Sequence, residues 1–464
     1  MPKRNLIWMI AIVAAAAVAV LVMRPAAPRS DDPNGIRFRP VIHAYRTLTR
    51  QAYRRPDDAN LLRGAVRGMA EELDEYSSYV PPERLASFRA RLKGRVTCIG
   101  LLADWEGGDG EVLGALPGSP AHAAGIQPGG RMLTIAGQDV QAVAPELLRR
   151  LLLGPQPGPV RMRIVDPAGR ERNYALTPDR FEIETVTGVR REGDGRWRFY
   201  ADPDERLAYV RIREFVPRTA GELNRALREL AAARGIVLDL RDNPGGDLEA
   251  GCAAADLFLR EGVIFTRVDR AGRSRSFSAS PQGTHANVPL VVLVNGETAS
   301  AAEIVAGSLR LHDRAVLVGG RTRGKGLVQS MITLPGRLGQ VNLTTAEFFL
   351  GAAVRVTRTP GAEAWGVAPH VEMPLSAAER RATRRHATAV LAAPGPPRAP
   401  ATAPTTAPAG PRVRPIDQID PQVAHAVELL REPGRIEAIL AQAAADRAAV
   451  DDPNTATADP NSRP

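Results

Sequence analysis

The chain has 464 residues, enough for two or three domains, and its 44% hydrophobic content supports sizeable cores. Its net charge of +10 comes from scattered arginines, aromatics are only 5%, and no basic block is interleaved with them, which argues against nucleic acid as a partner. Cys98 and Cys252 are the only cysteines and could form one disulfide outside the cytoplasm, and the seven histidines form no Cys/His cluster with metal-ligand spacing.

The chain begins MPKRN and then runs without a charge through residues 6–23, LIWMIAIVAAAAVAVLVM. As a helix that run spans about 27 Å, near one hydrocarbon core, and exceeds the roughly 7–15 apolar residues of a cleaved signal. It is read as a membrane anchor, with Lys3 and Arg4 on the cytoplasmic side and the bulk of the chain outside the cytoplasm. Arg24 and Arg29 beyond the span oppose that orientation. Residues 24–36 read as a linker. Residues 40–92 are helical in pattern, interrupted at SSYVPPERL by Pro81 and Pro82, and belong to a helical N-terminal region of residues 37–94.

From residue 95 to 180 the pattern changes to short strands around two helices. EVLGAL and RMLTIAG are strand-like, SPAHAAG is a short helix closed by Gly125, and APELLRRLLLG is an amphipathic helix closed by Gly154. VRMRIVD alternates apolar and polar residues, as a half-buried strand does. Cys98 and Cys252 each sit among apolar or small residues, so two buried free thiols are expected.

Residues 181–386 alternate strands with helices. LAYVRIREF is a strand; TAGELNRALRELAAARG is a helix with Thr219 as its cap and Gly235 as its stop. IVLDL and PLVVLVN are apolar runs typical of buried parallel strands. LEAGCAAADLFL and SAAEIVAGSLRLH are helices, and RAVLVGG is a strand. The alternation predicts an α/β fold with a parallel sheet. Residues 387–415 are Ala/Pro/Thr-rich and read as a semi-extended linker. A helical segment resumes at residues 416–450, and residues 451–464 read as a disordered tail.

Only three of the 61 basic residues are lysines: Lys3, Lys93 and Lys325. Lys325 lies between glycines in GRTRGKG. Lysine can be shifted towards neutrality by burial and arginine cannot, so a mid-domain lysine is a candidate general base. A phosphate loop is disfavoured because Gly326 stands where Ser or Thr would hold Mg²⁺. From Lys325 alone, an ordinary turn lysine stays open.

VNGETASAAEIVAG puts Ser300 at a strand-to-helix junction, at the edge where open α/β sheets place their sites. Capping of the helix by Thr298 or Ser300 is the alternative. Upstream, IVLDLRDNPGGDLEAG is a second strand, glycine turn and helix. Gly245 and Gly246 allow close approach of a ligand, and free amides there, with that of Ala301, can face a negative oxygen. His312 lies 12 residues along the same helix from Ser300. That is roughly 18 Å, against a hydrogen-bond reach of about 3 Å, so it and Asp313 fail as bases.

Six motifs stand in order: LDEYSSYVPPE, GSPAHAAGIQPGG, LDLRDNPGG, ASAAEIVAG, GKGLVQ and GVAPHV. In these the chain resembles the C-terminal processing (tail-specific) proteases, serine peptidases with a PDZ domain and a Ser/Lys dyad. The resemblance runs over residues 40–371 and returns at DPQVAHAVELL. It implies Ser300 as nucleophile, Lys325 as general base, Gln329 as the residue orienting the lysine, and Gly246 and Ala301 as the oxyanion amides. It implies a crotonase-like core, an inserted PDZ-like domain with Ile99, Gly100 and Leu101 at its carboxylate-binding loop, and a helical N-terminal region. The implied activity is cleavage of proteins near apolar C-termini, with no metal or organic cofactor and a possible homo-oligomer. The family often has an Asp where this chain has Leu311, an aromatic where it has Arg323 and a hydroxyl residue where it has Leu327. The alternative is a catalytically inactive binding protein that holds protein tails by its PDZ domain.

Overall fold

A computed structural model describes residues 33–104, 110–281, 285–393 and 416–451. The expected anchor at residues 6–23, most of the expected linker and almost all of the tail lie outside these. Among the described residues no helix is long and apolar enough to cross a membrane.

The chain forms two units, Met1–Leu73 with Pro335–Leu338, and Asp74–Leu334 with Gly339–Pro464. The first contains helices Pro33–Gln51 and Asp58–Glu71. The former begins inside the stretch read as linker and keeps Pro40 in its interior. The latter starts where Asp57 accepts the amides of Ala59 and Asn60, satisfying two donors that the first turn leaves open.

In the second unit, a small module surrounds its own apolar cluster. Arg95–Cys98 pairs antiparallel with Asp179–Glu182, and Leu101–Ala103 with Val112–Ala115. A four-stranded sheet is built on Arg131–Ile135, Val160–Val165 and Glu171–Leu176. Val160, Met162 and Ile164 point inwards while Arg161 and Arg163 point out, as the alternation required. Helix Pro145–Leu153 buries Leu148 and Leu152 in the same cluster.

The main sheet has central strands Leu207–Ile212, Gly235–Asp239, Leu290–Val294 and Val316–Gly319, all parallel, with Val371–Glu372 beyond them. Gly235–Asp239 and Leu290–Val294 are buried at every position because both sheet faces are covered. Ala208, Val210, Ile236, Leu238, Val292 and Leu317 face helices Leu248–Asp256 and Ala301–Leu311. Tyr209, Val237, Val291, Leu293 and Val318 face helix Pro421–Arg431 through Val423, Val427 and Leu430. A buried charge cluster pins that helix. Asp420 caps it through the amides of Gln422 and Val423 and also takes Arg241, whose guanidinium holds Asp239 as well.

A second, antiparallel sheet joins Ser78–Val80, Gln340–Leu350, Val263–Asp269 and Ser274–Ser278, with Leu327–Thr333 paired to Gln340–Leu350. The α/β class and parallel core expected from the sequence are observed.

Four local expectations are corrected. Helix Thr219–Glu229 has Arg218 at its cap position, and the Thr219 hydroxyl instead accepts the Val216 amide. Gly235 does not stop that helix but opens the next strand. Helix Ala377–Ala389 runs into the Ala-rich stretch read as linker because its C-terminal end is packed. Leu391 enters an apolar cluster with Leu102, Leu113 and Leu116, and the Ala393 amide donates to Ala115. Both cysteines are free, but only Cys98 is fully buried; Cys252 is half-buried. Burial pushes both thiols up to about 11.

Candidate active site

Three parallel strands end side by side, and the loops leaving their C-terminal ends meet. The loop after Gly235–Asp239 carries Gly245 and Gly246, that after Leu290–Val294 carries Ser300, and that after Val316–Gly319 carries Lys325. Backbone hydrogen bonds stitch them together: Ala299 N to Asn243 O at 2.9 Å and Arg323 N to Thr298 O at 3.0 Å. The Thr298 hydroxyl donates to the Leu240 carbonyl at 2.9 Å, so it ties two loops rather than capping a helix.

Ser300 occupies the cap position of helix Ala301–Leu311 with φ +56° and ψ −120°. A non-glycine residue there is strained by about 1–3 kcal/mol, which surrounding contacts must offset, and sharp strand-to-helix turns of this kind present nucleophilic serines. The residue is 7% exposed. Gly245 lies against it: a Cβ added to Gly245 would sit 2.6 Å from Ser300 Cβ and 2.9 Å from Ala301 N, and one on Gly246 only 2.0 Å from the Phe215 carbonyl oxygen. Both have positive φ, +92° and +132°, so side chains are excluded on conformation as well as space. Among the described residues, no protein acceptor takes the amides of Gly246 or Ala301.

Glu303, fully buried on the first turn of the Ser300 helix, joins the loops. Its carboxylate accepts Ser300 N at 2.8 Å, Lys325 N at 2.8 Å, Gly324 N at 2.7 Å and the Thr322 hydroxyl at 2.6 Å. Burial raises its pKa although all four hydrogen bonds oppose the rise. Thr322 is fixed in turn by the Val367 amide at 2.7 Å, which is how the GVAPHV stretch supports the site.

Lys325 is half-buried. Desolvation, then the Arg323 charge, lowers its pKa from the ordinary 10.5, against the pull of Glu303, Glu75 and Asp74. Its Nζ lies 4.7 Å from the centroid of the Tyr76 ring. Among the described residues no hydrogen bond joins it to Ser300 or to Gln329. Gln329 Nε2 donates instead to Thr344 Oγ1 at 3.1 Å and to the Leu327 carbonyl at 3.2 Å. The fold therefore brings Ser300, Lys325, Ala301 and the glycine pair to one edge, with Gln329 on the adjoining strand engaged elsewhere. His312 is committed to the Val263 carbonyl through Nε2 at 3.0 Å. Ile99, Gly100 and Leu101 lie in the small module, at the start of its Leu101–Ala103 strand. Ile99 and Leu101 are fully buried, and the Ile99 and Gly100 carbonyls accept from Ala121 and Leu116.

Sequence reasoning missed Glu303, Thr322, Tyr76 and Asp74. For Glu303 a signal existed: Ser-x-x-Glu at a strand-to-helix junction is capping-box spacing. For the others no local pattern points across the chain to Lys325. Among the described residues no cluster of His, Cys, Asp and Glu could hold a metal ion.

The profile of peptidase family S41 matches residues 206–373. The chain is 35% identical over 289 residues to a carboxyl-terminal-processing protease of Synechocystis sp., covering 61% of this chain and 66% of that protein. It is 30% identical over 333 residues to a carboxy-terminal-processing protease of Bartonella bacilliformis, covering 69% and 71%. The matches thus span about two thirds of those relatives' length. A solved photosystem II D1 C-terminal processing protease is 28% identical and superposes with a TM-score of 0.44, covering 72% of this chain and 92% of that one.

Proposed function

Because the chain belongs to the carboxyl-terminal processing proteases of peptidase family S41, which are serine-type peptidases, we propose that it is an endopeptidase in which Ser300 is the nucleophile and Lys325 the general base. The observation that carries this is the Glu303 carboxylate, which takes the amides of both Ser300 and Lys325 and so fixes one loop to the other. Neutral Lys325 accepts the Ser300 hydroxyl proton as Oγ attacks the scissile carbonyl carbon. The resulting oxyanion is held by the amides of Gly246 and Ala301. The tetrahedral intermediate collapses as protonated Lys325 gives its proton to the leaving amine. Water, deprotonated by the same lysine, then attacks the acyl carbon, and the proton passes to Ser300 Oγ as the acyl–oxygen bond breaks and the acid leaves. Gln329 orients Lys325 once its amide leaves Thr344.

Residues 95–180 act as a PDZ-like module in which the loop at Ile99, Gly100 and Leu101 receives a terminal carboxylate and the adjoining strand receives the tail. The test is an unfolded protein ending in apolar residues, offered with a free or an amidated C-terminus. The free acid is expected to be cleaved near its C-terminus and at least several-fold faster than the amide. Mass spectrometry locates the cut. No cleavage overturns the enzymatic reading; equal rates overturn carboxylate capture alone.

The uncharged stretch at residues 6–23 supports an anchored protein with its catalytic part outside the cytoplasm. A reporter fused after Val371 is then active only outside the cytoplasm, and a cytoplasmic signal reverses the topology.

A further inference from the structure

The motif LDEYSSYVPPE contributes a residue that the Ser/Lys chemistry leaves unused. Asp74 folds the turn by accepting Tyr76 N at 2.8 Å, Ser77 N at 2.7 Å and the Ser77 hydroxyl at 2.8 Å. It also accepts the hydroxyl of Thr344 at 3.2 Å, the residue to which Gln329 Nε2 donates from the neighbouring strand. Ser78–Val80 then pairs with Gln340–Leu350, so the turn is fastened at both ends. The fastened turn presents the Tyr76 ring to Lys325, with Nζ 4.7 Å from the ring centroid. An ammonium within about 6 Å of an aromatic face is attracted by the ring quadrupole, whereas a neutral amine is not.

We propose that Tyr76 is the resting partner of Lys325, its ring holding the ammonium off Ser300 and setting the pH at which the amine becomes available; this rests on the Ser300 and Lys325 assignment above. Loss of the proton removes the attraction, and the freed amine turns to Ser300. Tyr76 is thus a positioning residue, acting only through the lysine. The other charges facing Lys325 are Asp74 and Glu75 on the same turn, Glu303 on the Ala301–Leu311 helix and Arg323 on the lysine's own loop. All four are retained in the variants below. The phenol does not confuse the titration, because burial first, then Glu75, pushes it up to about 12.

The chain's three lysines make a direct measurement feasible. In full-length protein carrying ¹³C-labelled lysine, the Lys325 signal is identified by its loss in Lys325→Arg and titrated by NMR. Tyr76→Leu keeps an apolar cover and removes the quadrupole. It is expected to lower the Lys325 midpoint by ~0.5–1 pH unit and to move the acid limb of kcat/KM the same way. Tyr76→Phe keeps the ring and restores the wild-type midpoint. Should leucine unfold the turn, Tyr76→Met serves in its place. An unchanged or raised midpoint in the folded ring-less variant, or a Tyr76→Phe midpoint that follows leucine, overturns the proposal. The midpoint is read without turnover, so a chain whose cleavage survives Ser300→Ala would sink the dyad and leave this measurement standing by itself.

Discussion

Lys325→Arg is expected to abolish turnover of an unfolded substrate as completely as Lys325→Ala, a loss of at least ~10³-fold, with Ser300→Ala inactive to a similar degree. Arginine is this chain's default cation, so a lysine present only for its charge would tolerate the exchange. A guanidinium cannot accept the Ser300 proton at any working pH, so a base cannot be exchanged. The sign of the pH dependence follows from the lowered pKa of Lys325. Desolvation and Arg323 disfavour the charged form, and Glu303, Glu75 and Asp74 favour it. The base works when neutral. Activity therefore rises with pH through a midpoint below 10.5 and is lost as pH falls below it. Arg323 is exposed and ion-paired to Glu297 at the rim. Turnover is compared in wild type and the three variants, each shown to be folded by circular dichroism. Substantial activity in the folded arginine variant would return Lys325 to an ordinary turn residue.

The next largest effect is expected at Glu303. Glu303→Gln keeps the side chain's shape but replaces one acceptor oxygen by a donor. Four donors converge there. The amide oxygen cannot serve all four, and its NH₂ meets donors. Each buried donor left unpaired costs about 1–3 kcal/mol. The loop relaxes, and Lys325 is displaced relative to Ser300. Misplacement by about 1 Å costs on the order of 10² in rate, so kcat should fall by at least ~10²-fold, with a lower Tm and little change in KM. Glu303→Asp, a carboxylate one methylene shorter, should recover less than a tenth of the activity. A glutamine variant with wild-type kcat would show that Glu303 is not what joins the two loops.

The residues themselves determined the parallel sheet and which loops stand at its edge. Runs such as IVLDL and LVVLV are short, apolar and β-branched, so they are stable only where both faces are buried. NPGG demands a conformation that glycine alone supplies. Those are local constraints, legible within ten residues. They delimited the strands around the site and placed Ser300, Lys325 and Gly246 in loops at strand ends, and Ala301 at the start of the following helix, where the sheet brings these segments together.

Other features could not be read in this way. Leu327–Thr333 and Gln340–Leu350 mix apolar and polar residues, most of them half-buried, with no periodicity strong enough to announce a hairpin, and only their pairing reveals them. Helix Pro421–Arg431 is amphipathic in sequence, but that it covers the second face of the main sheet is decided by Asp420 meeting Arg241. Glu303 shows a capping-box spacing, yet its bonds to Gly324 and Lys325 depend on where another loop returns. Tyr76 reaches Lys325 only because Ser78–Val80 is registered against a strand far along the chain. Composition and spacing act over a few residues, whereas these partners are chosen by strand register and crossover, which only the assembled tertiary structure defines.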